Sequence, residues 1–247
     1  MMKTALLIID PQNDFTCSEG SLYIKNSEKQ VKNIADWIAD NTPDDIFVTM
    51  DTHFPTHIGC PSAWIDTKTG NYVSPFTKIT EEDIKLNKYA PTKVSKKYAI
   101  SYLESVKEHT IWPEHCIAGS WGACINNNLL ESLKKWSVKT NHHYTLIQKG
   151  RNDRAEMYSV FSDALGEIPD VSSDLMKKLE NFDKVVVCGF AKDYCVAESV
   201  KDLTRNPKMT GKLKFFMDGM ACINNNNNPS LSIYDWAVNM FGATIII

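Results

Sequence analysis

A chain of 247 residues, 43% hydrophobic and 23% charged, is long enough to bury a sizeable core and is neither a disordered tail nor a fibre. Its formal net charge of −3, with basic residues scattered along the chain, argues against a nucleic-acid partner. Seven cysteines, an odd number without a C-x-x-C pair, suit a reducing compartment; with no stretch near the ~20 apolar residues of a membrane span, a cytoplasmic protein away from the membrane is expected.

Residues 4–9 (TALLII) are a short continuous apolar run, the pattern of a central parallel strand covered on both faces. The run stops at Asp10, too early for the apolar region of a signal peptide. Asp10-Pro11-Gln12-Asn13-Asp14-Phe15 then forms a polar loop at the strand's carboxyl end, where open α/β sheets build their sites. Val31, Ile34, Ala35, Trp37 and Ile38 recur at helical spacing within 27–41, with Ser27 as the expected N-cap. Residues 44–50 (DDIFVTM) read as a second strand, running straight into Asp51-Thr52-His53. At a strand end, residues i and i+2 project to the same side, so this carboxylate and imidazole can share one point and suit a borderline divalent metal.

Residues 66–108 differ in character. They are polar, rich in Lys, Thr and Tyr, and periodic only near 80–86 and 95–106. An insertion carrying short helices is expected there, a candidate lid, too short and too polar for an independent domain. Residues 111–123 bring Gly-rich, aromatic loop chemistry, with His115 at its centre as a third candidate ligand. Residues 126–136 read as a helix, 144–147 as a strand ending at Gln148-Lys149-Gly150, and 173–181 as a helix.

Val185-Val186-Val187, between Lys184 and Gly189, reads as a short buried strand, and Val196, Val200 and Leu203 follow at helical spacing. Cys195 therefore falls in the first turn of a helix, just past the end of a parallel strand. Unpaired N–H groups at a helix start favour thiolate and can receive an oxyanion. The bland alternative is a small buried core cysteine. Residues 213–217 read as a strand ending at Asp218, the five-Asn tract at 224–228 as a polar loop, Pro229 as the start of the last helix, and 243–247 as a terminal strand.

The alternation predicts an α/β fold: one domain with a doubly wound, mainly parallel sheet of about six strands and helices on both faces. Asp10, Asp51, Lys149 and Cys195 each follow a different strand at the same sheet edge. Four reactive side chains converging there are hard to explain as structural accidents.

These residues resemble the isochorismatase-like cysteine hydrolases, and within them the nicotinamidase branch. The resemblance covers the chain outside 66–108. It rests on D-x-Q-x-D-F from Asp10, D-x-H at Asp51, W-P-x-H-C-x-x-G from Trp112 to Gly119, Lys149-Gly150 with the later Tyr158-Ser159-Val160-Phe161, and G-x-A-x-D-x-C-V from Gly189 to Val196. It implies a catalytic triad of Asp10, Lys149 and Cys195, an oxyanion hole from the N–H groups of Ala191 and Cys195, and a cis peptide between Phe190 and Ala191. It also implies one divalent metal on Asp51, His53 and His115, zinc foremost, with iron or manganese acceptable to the same donors. His57 matches a position that ligates in some members only. Phe15, Trp112 and Tyr158 would wall a slot for nicotinamide, its ring nitrogen on the metal, and hydrolysis through a thioester to nicotinate and ammonia would serve NAD salvage. The metal set separates this branch from isochorismatases and carbamoyl-amide hydrolases. A superfamily hydrolase acting on another small amide is the alternative, and a homo-oligomer is left open.

Overall fold

The computed structural model describes residues 2–224 and 228–247, so Asn225, Asn226 and Asn227 of the Asn tract lie outside the described residues. Six strands make the central sheet: β1 (Thr4–Ile9), β2 (Asp45–Asp51), β3 (Thr145–Lys149), β4 (Lys184–Phe190), β5 (Leu213–Ala221) and β6 (Thr244–Ile246). Their order is β6-β5-β4-β1-β2-β3 and every pairing is parallel, as the strand–helix alternation predicts. Ala5 to Ile9 are all fully buried; since successive strand side chains point to opposite faces, β1 is covered on both. The chain builds outward from β1 to β2 and β3, then returns to β1's other side for β4. That reversal opens a crevice over the carboxyl ends of β1 and β4.

Register carries the chemistry to this edge. Asp51 pairs with Lys149 across β2 and β3, and Ile9 pairs with Gly189 across β1 and β4. A Cβ on Gly189 would fall 2.1 Å from the Ile9 carbonyl oxygen, and its φ is +116°, so only glycine lets the strands close there. The register of β4 on β5 shifts between Val187 and Gly189. As β5 runs on to Ala221, Asp218 falls inside it and not at its end.

Helices Ser27–Asn41 and Asn127–Thr140 pack together, as do Ala197–Arg205 and Ser232–Phe241. Ser27 is not an N-cap. Asn26 takes that position in a left-handed conformation, while the Ser27 hydroxyl donates to the Phe15 carbonyl at 3.0 Å and ties the helix to the loop after β1.

The insertion holds its expected helices, Glu81–Lys85 and Lys96–Val106, together with two short antiparallel ribbons: Trp64–Asp66 with Tyr89–Pro91, and Lys78–Thr80 with Glu108–Thr110. Thr80 and Asp83 form a capping box at the first helix. Its polar composition hid a second, smaller core of Ile58, Trp64, Ile79, Ile84, Ala99, Leu103 and Ile111, which Ala155 joins from the body of the protein. Outside helices Glu81–Lys85 and Lys96–Val106, whose period the sequence shows, the elements supplying this core are too short to show one. The segment is packed structure and not a loose flap.

Candidate active site

Lys149, the last residue of β3, is 2% exposed. Its ammonium lies 2.9 Å from Asp10 Oδ2, 3.2 Å from Asp51 Oδ1, 3.0 Å from the Met157 carbonyl and 3.6 Å from Cys195 Sγ. Burial alone would discharge it, but the two carboxylates outweigh burial and keep it cationic, well above the ordinary lysine range. Asp10 steps off β1 with φ +46°. Its N–H donates to Thr49 Oγ1 at 3.0 Å, and that hydroxyl donates back to Oδ1 at 2.5 Å. Burial raises the Asp10 carboxyl and Lys149 only partly opposes this, leaving a group suited to take and return a proton.

Cys195 stands in a wide, π-type turn, Lys192–Val196, ahead of helix Ala197–Arg205. The Tyr194 and Val196 N–H groups both donate to the Ala191 carbonyl, at 3.1 Å each. The Phe190–Ala191 peptide is cis, as the resemblance implies. Burial pushes the Cys195 thiol well above its ordinary value; Lys149 pulls the other way but does not prevail. Burial thus favours the thiol over the thiolate at Cys195. Asp193 accepts the Ile223 and Asn224 N–H groups at 2.9 and 3.0 Å, and the Asn228 amide donates to the Asp193 carbonyl at 3.0 Å, strapping the Asn tract's ends to the Cys195 turn.

Beside Lys149, Asp51 Oδ2 lies 3.1 Å from His53 Nε2 and 3.5 Å from His115 Nε2. The ligand atoms of these three buried residues all fall within 4.8 Å of one another. His53 Nδ1 faces the Gly150 carbonyl at 3.3 Å and His115 Nδ1 the Pro113 carbonyl at 2.7 Å. A carbonyl only accepts, so each Nδ1 carries hydrogen and both Nε2 atoms converge on the carboxylate, where a positive charge must bridge them. Burial works to neutralise His53, but Asp51 prevails and pushes it up to about 9. Burial likewise acts against ionised Asp51, and His53 with Lys149 holds it well below the carboxylate range. Two histidines and an aspartate, oriented by backbone carbonyls, fit a divalent cation of the zinc type.

Gln12 and Asp14, whose roles the sequence reading missed, shape this cradle. The Gln12 amide donates to the Asp51 carbonyl and accepts its N–H, both at 2.7 Å. Asp14 Oδ2 accepts the Cys116 N–H at 2.6 Å, holding the loop that carries His115. Their place in a polar loop beside a strand end was the available signal.

His57 stacks on His53 with ring centroids 4.1 Å apart, and the ligand atoms of His53, His57 and Glu156 also cluster within 4.8 Å. Yet Gly59 N–H donates to His57 Nδ1 at 3.1 Å, leaving Nε2–H to face the Ala155 carbonyl at 3.3 Å. Both nitrogens are thus engaged by backbone, and burial pushes His57 down to about 4, a neutral ring. We expect His57→Asn to keep the wild-type metal content and His53→Ala to lose most of it, measured by elemental analysis of the same preparations. Loss in His57→Asn equal to that in His53→Ala would make His57 a ligand.

Of the three aromatic residues expected as walls, Phe15 lies against a candidate ligand, and Trp112 and Tyr158 meet each other. Phe15 meets the His115 ring edge-on at 5.5 Å, and Trp112 Nε1 donates to the Tyr158 hydroxyl at 2.9 Å. A fourth was missed: Tyr194, 5.1 Å from Trp112 and 5.5 Å from Tyr158, its hydroxyl accepting the Asn224 amide at 2.8 Å. An aromatic residue next to the candidate nucleophile was its sequence signal.

This sheet gathers a buried aspartate, lysine and cysteine at one edge, in an α/β fold that solved nicotinamidases share. No family model matches the chain. Its relatives are more specific: it is 28% identical over 199 residues to the nicotinamidase of Saccharomyces cerevisiae, covering 79% of this chain and 78% of that protein. It is 25% identical over 227 residues to the nicotinamidase of Escherichia coli, covering 91% and 85%. The solved structure of the yeast nicotinamidase has a TM-score of 0.68 at 20% identity, covering 98% of this chain and 99% of that one. A pyrazinamidase of Pyrococcus horikoshii in complex with zinc has a TM-score of 0.58 at 18% identity, covering 99% and 98%. Within its class, this chain is similar in sequence to the nicotinamidases.

Proposed function

We propose that this chain hydrolyses nicotinamide to nicotinate and ammonia, a step that returns nicotinamide to NAD synthesis. The observation that carries the reading is one buried ammonium, Lys149, touching both Asp10 and Cys195 Sγ, in a chain whose relatives are nicotinamidases. Cys195 enters as a thiol, and Asp10 takes its proton as Sγ attacks the carboxamide carbon. Lys149 balances the negative charge passing between thiol and carboxylate. The N–H groups of Ala191 and Cys195 receive the oxyanion. Asp10 then returns the proton to departing ammonia, leaving a thioester. Water, deprotonated by Asp10, cleaves the thioester to nicotinate and restores the thiol.

Asp51, His53 and His115 would hold a divalent ion, zinc first and iron or manganese on the same donors, which would supply a Lewis-acidic contact for the ring nitrogen. Phe15, Trp112, Tyr158 and Tyr194 offer the planar, mostly apolar walls that a pyridine ring needs. Free thiols at Cys17, Cys60, Cys116, Cys124, Cys188 and Cys195 favour a cytoplasmic setting. Ammonia release measured on three amides tests the reading. Nicotinamide and pyrazinamide should be hydrolysed, and benzamide, which has the same shape without a ring nitrogen, should be poorer by ~100-fold or more, because a site built for a polar anchor rejects the analogue lacking it. Equal rates on benzamide would rule out ring reading. Release from none of the three would favour a different small amide.

A further inference from the structure

An ammonium has three N–H bonds to give, and Lys149 meets more acceptors than that. Besides two carboxylates and Cys195 Sγ, it faces a backbone acceptor, the Met157 carbonyl at 3.0 Å. The backbone leading to that carbonyl is held by three hydrogen bonds. Met157 N–H donates to Glu156 Oε1 at 3.0 Å, and Ala164 N–H donates to the Glu156 carbonyl at 2.7 Å. Glu156 N–H donates to the Tyr102 hydroxyl at 3.3 Å. His109 sets the sense of that last bond. Its Nε2 lies 3.2 Å from the Ile58 carbonyl, so Nε2 carries hydrogen, and its bare Nδ1 accepts the Tyr102 O–H at 3.2 Å. The hydroxyl spends its proton on His109 and keeps a lone pair for Glu156. Tyr102, His109 and Glu156 are all buried, where an unmatched polar group is costly.

Tyr102 sits on helix Lys96–Val106 and His109 on strand Glu108–Thr110, so this relay runs from the insertion to the lysine. We propose that Tyr102 and Glu156 are positioning residues for Lys149, and that the insertion belongs to the reaction machinery through them. The proposal rests on the reading of Lys149 and Cys195 as the reacting centre. By drawing off one N–H bond, the Met157 carbonyl holds Nζ between Asp10 and Sγ and keeps it from settling between the two carboxylates. Displacements below 1 Å at such a vertex are enough to slow turnover.

The test is Tyr102→Phe in the full-length, metal-loaded enzyme. kcat for ammonia release from nicotinamide should fall about tenfold with KM held within about twofold and metal content unchanged. Alkylation of Cys195 by iodoacetamide, followed on its own peptide by mass spectrometry, should slow severalfold as Lys149 ceases to favour the thiolate. A lowered Tm with unaltered kcat and alkylation would make the relay a mere brace and overturn the proposal. If Tyr102→Phe does not fold, Glu156→Gln and Glu156→Ala decide. Gln keeps an oxygen for the Met157 N–H and should turn over about tenfold faster than Ala; equal kcat would refute positioning. Should the wild-type protein release no ammonia from nicotinamide, the functional reading falls. The alkylation comparison then still stands by itself, and equal rates in wild type and Tyr102→Phe would end the positioning role.

Discussion

Cys195→Ala should abolish ammonia release from nicotinamide, by a factor on the order of 10³ or more, since the proposed thioester forms on the sulfur it removes. The fold should survive, because the change removes one sulfur from a turn whose backbone is held independently by the Ala191 carbonyl and by Asp193. Thermal unfolding within a few degrees of wild type would confirm this, a shift of about 1 kcal/mol or less being expected for so small a deletion. Iodoacetamide gives a second measurement, although bulk labelling is uninformative. Cys124 is exposed and should react by access alone, whereas Cys195 is buried with its thiol pushed up. The informative quantity is which modified peptide tracks loss of activity. Inactivation following the Cys124 peptide while Cys195 stays unmodified, or an active Cys195→Ala enzyme, would remove Cys195 from the mechanism.

Replacing Lys149 should do more damage, because stability and rate both depend on it. Its ammonium compensates two fully enclosed carboxylates, Asp10 and Asp51. Lys149→Met keeps the aliphatic stem but leaves Asp10 without its cation and Asp51 with His53 alone, a loss of roughly 3–5 kcal/mol for a broken buried pair. For a chain of this length that lowers Tm by roughly 10 °C. The pH dependence follows in sign. Lys149 lowers the pKa of both acids, so its removal raises their folded-state pKa relative to wild type. An acid whose folded pKa lies above its unfolded value is stabilising when protonated, and that contribution is lost as pH rises. The Tm deficit of Lys149→Met should therefore be smaller near about pH 5 than near about pH 8. Turnover should fall by about 10² or more, because Lys149 acts on the proton passing between Cys195 and Asp10 and not only on binding. An effect confined to KM, with Tm unmoved, would contradict both roles.

Much of the architecture was legible in residue order because its causes are local. The run Ala5–Ile9 announces a strand covered on both faces, and Val185–Val187 its neighbour; both are wholly buried. The i, i+2 spacing of Asp51 and His53 places both side chains on one side of a strand end whatever the rest of the chain does. Parallel strands share one carboxyl edge, so the strand–helix alternation put Asp10, Asp51, Lys149 and Cys195 on that edge, and the adjacency of their four strands in the sheet brought them together.

The remaining features depend on groups distant in sequence, and only the folded chain could decide them. The protonation of Cys195 follows from the balance of its burial against Lys149, which the spacing within its own motif does not carry. His57 has a ligand's side chain, but Gly59 and Ala155 take its two nitrogens. Ser27 looked like a helix cap until the Phe15 carbonyl claimed its hydroxyl. The insertion reads as too polar for an independent domain, yet with residues before and after it in the chain it builds a small core, of which only the two helical stretches show a period. Tyr102 and Glu156 had no motif at all. Hydrophobic period and strand-end spacing are properties of neighbouring residues along the chain, whereas charge state, ligand choice and hydrogen-bond direction are set by whichever groups the fold brings within about 3 Å.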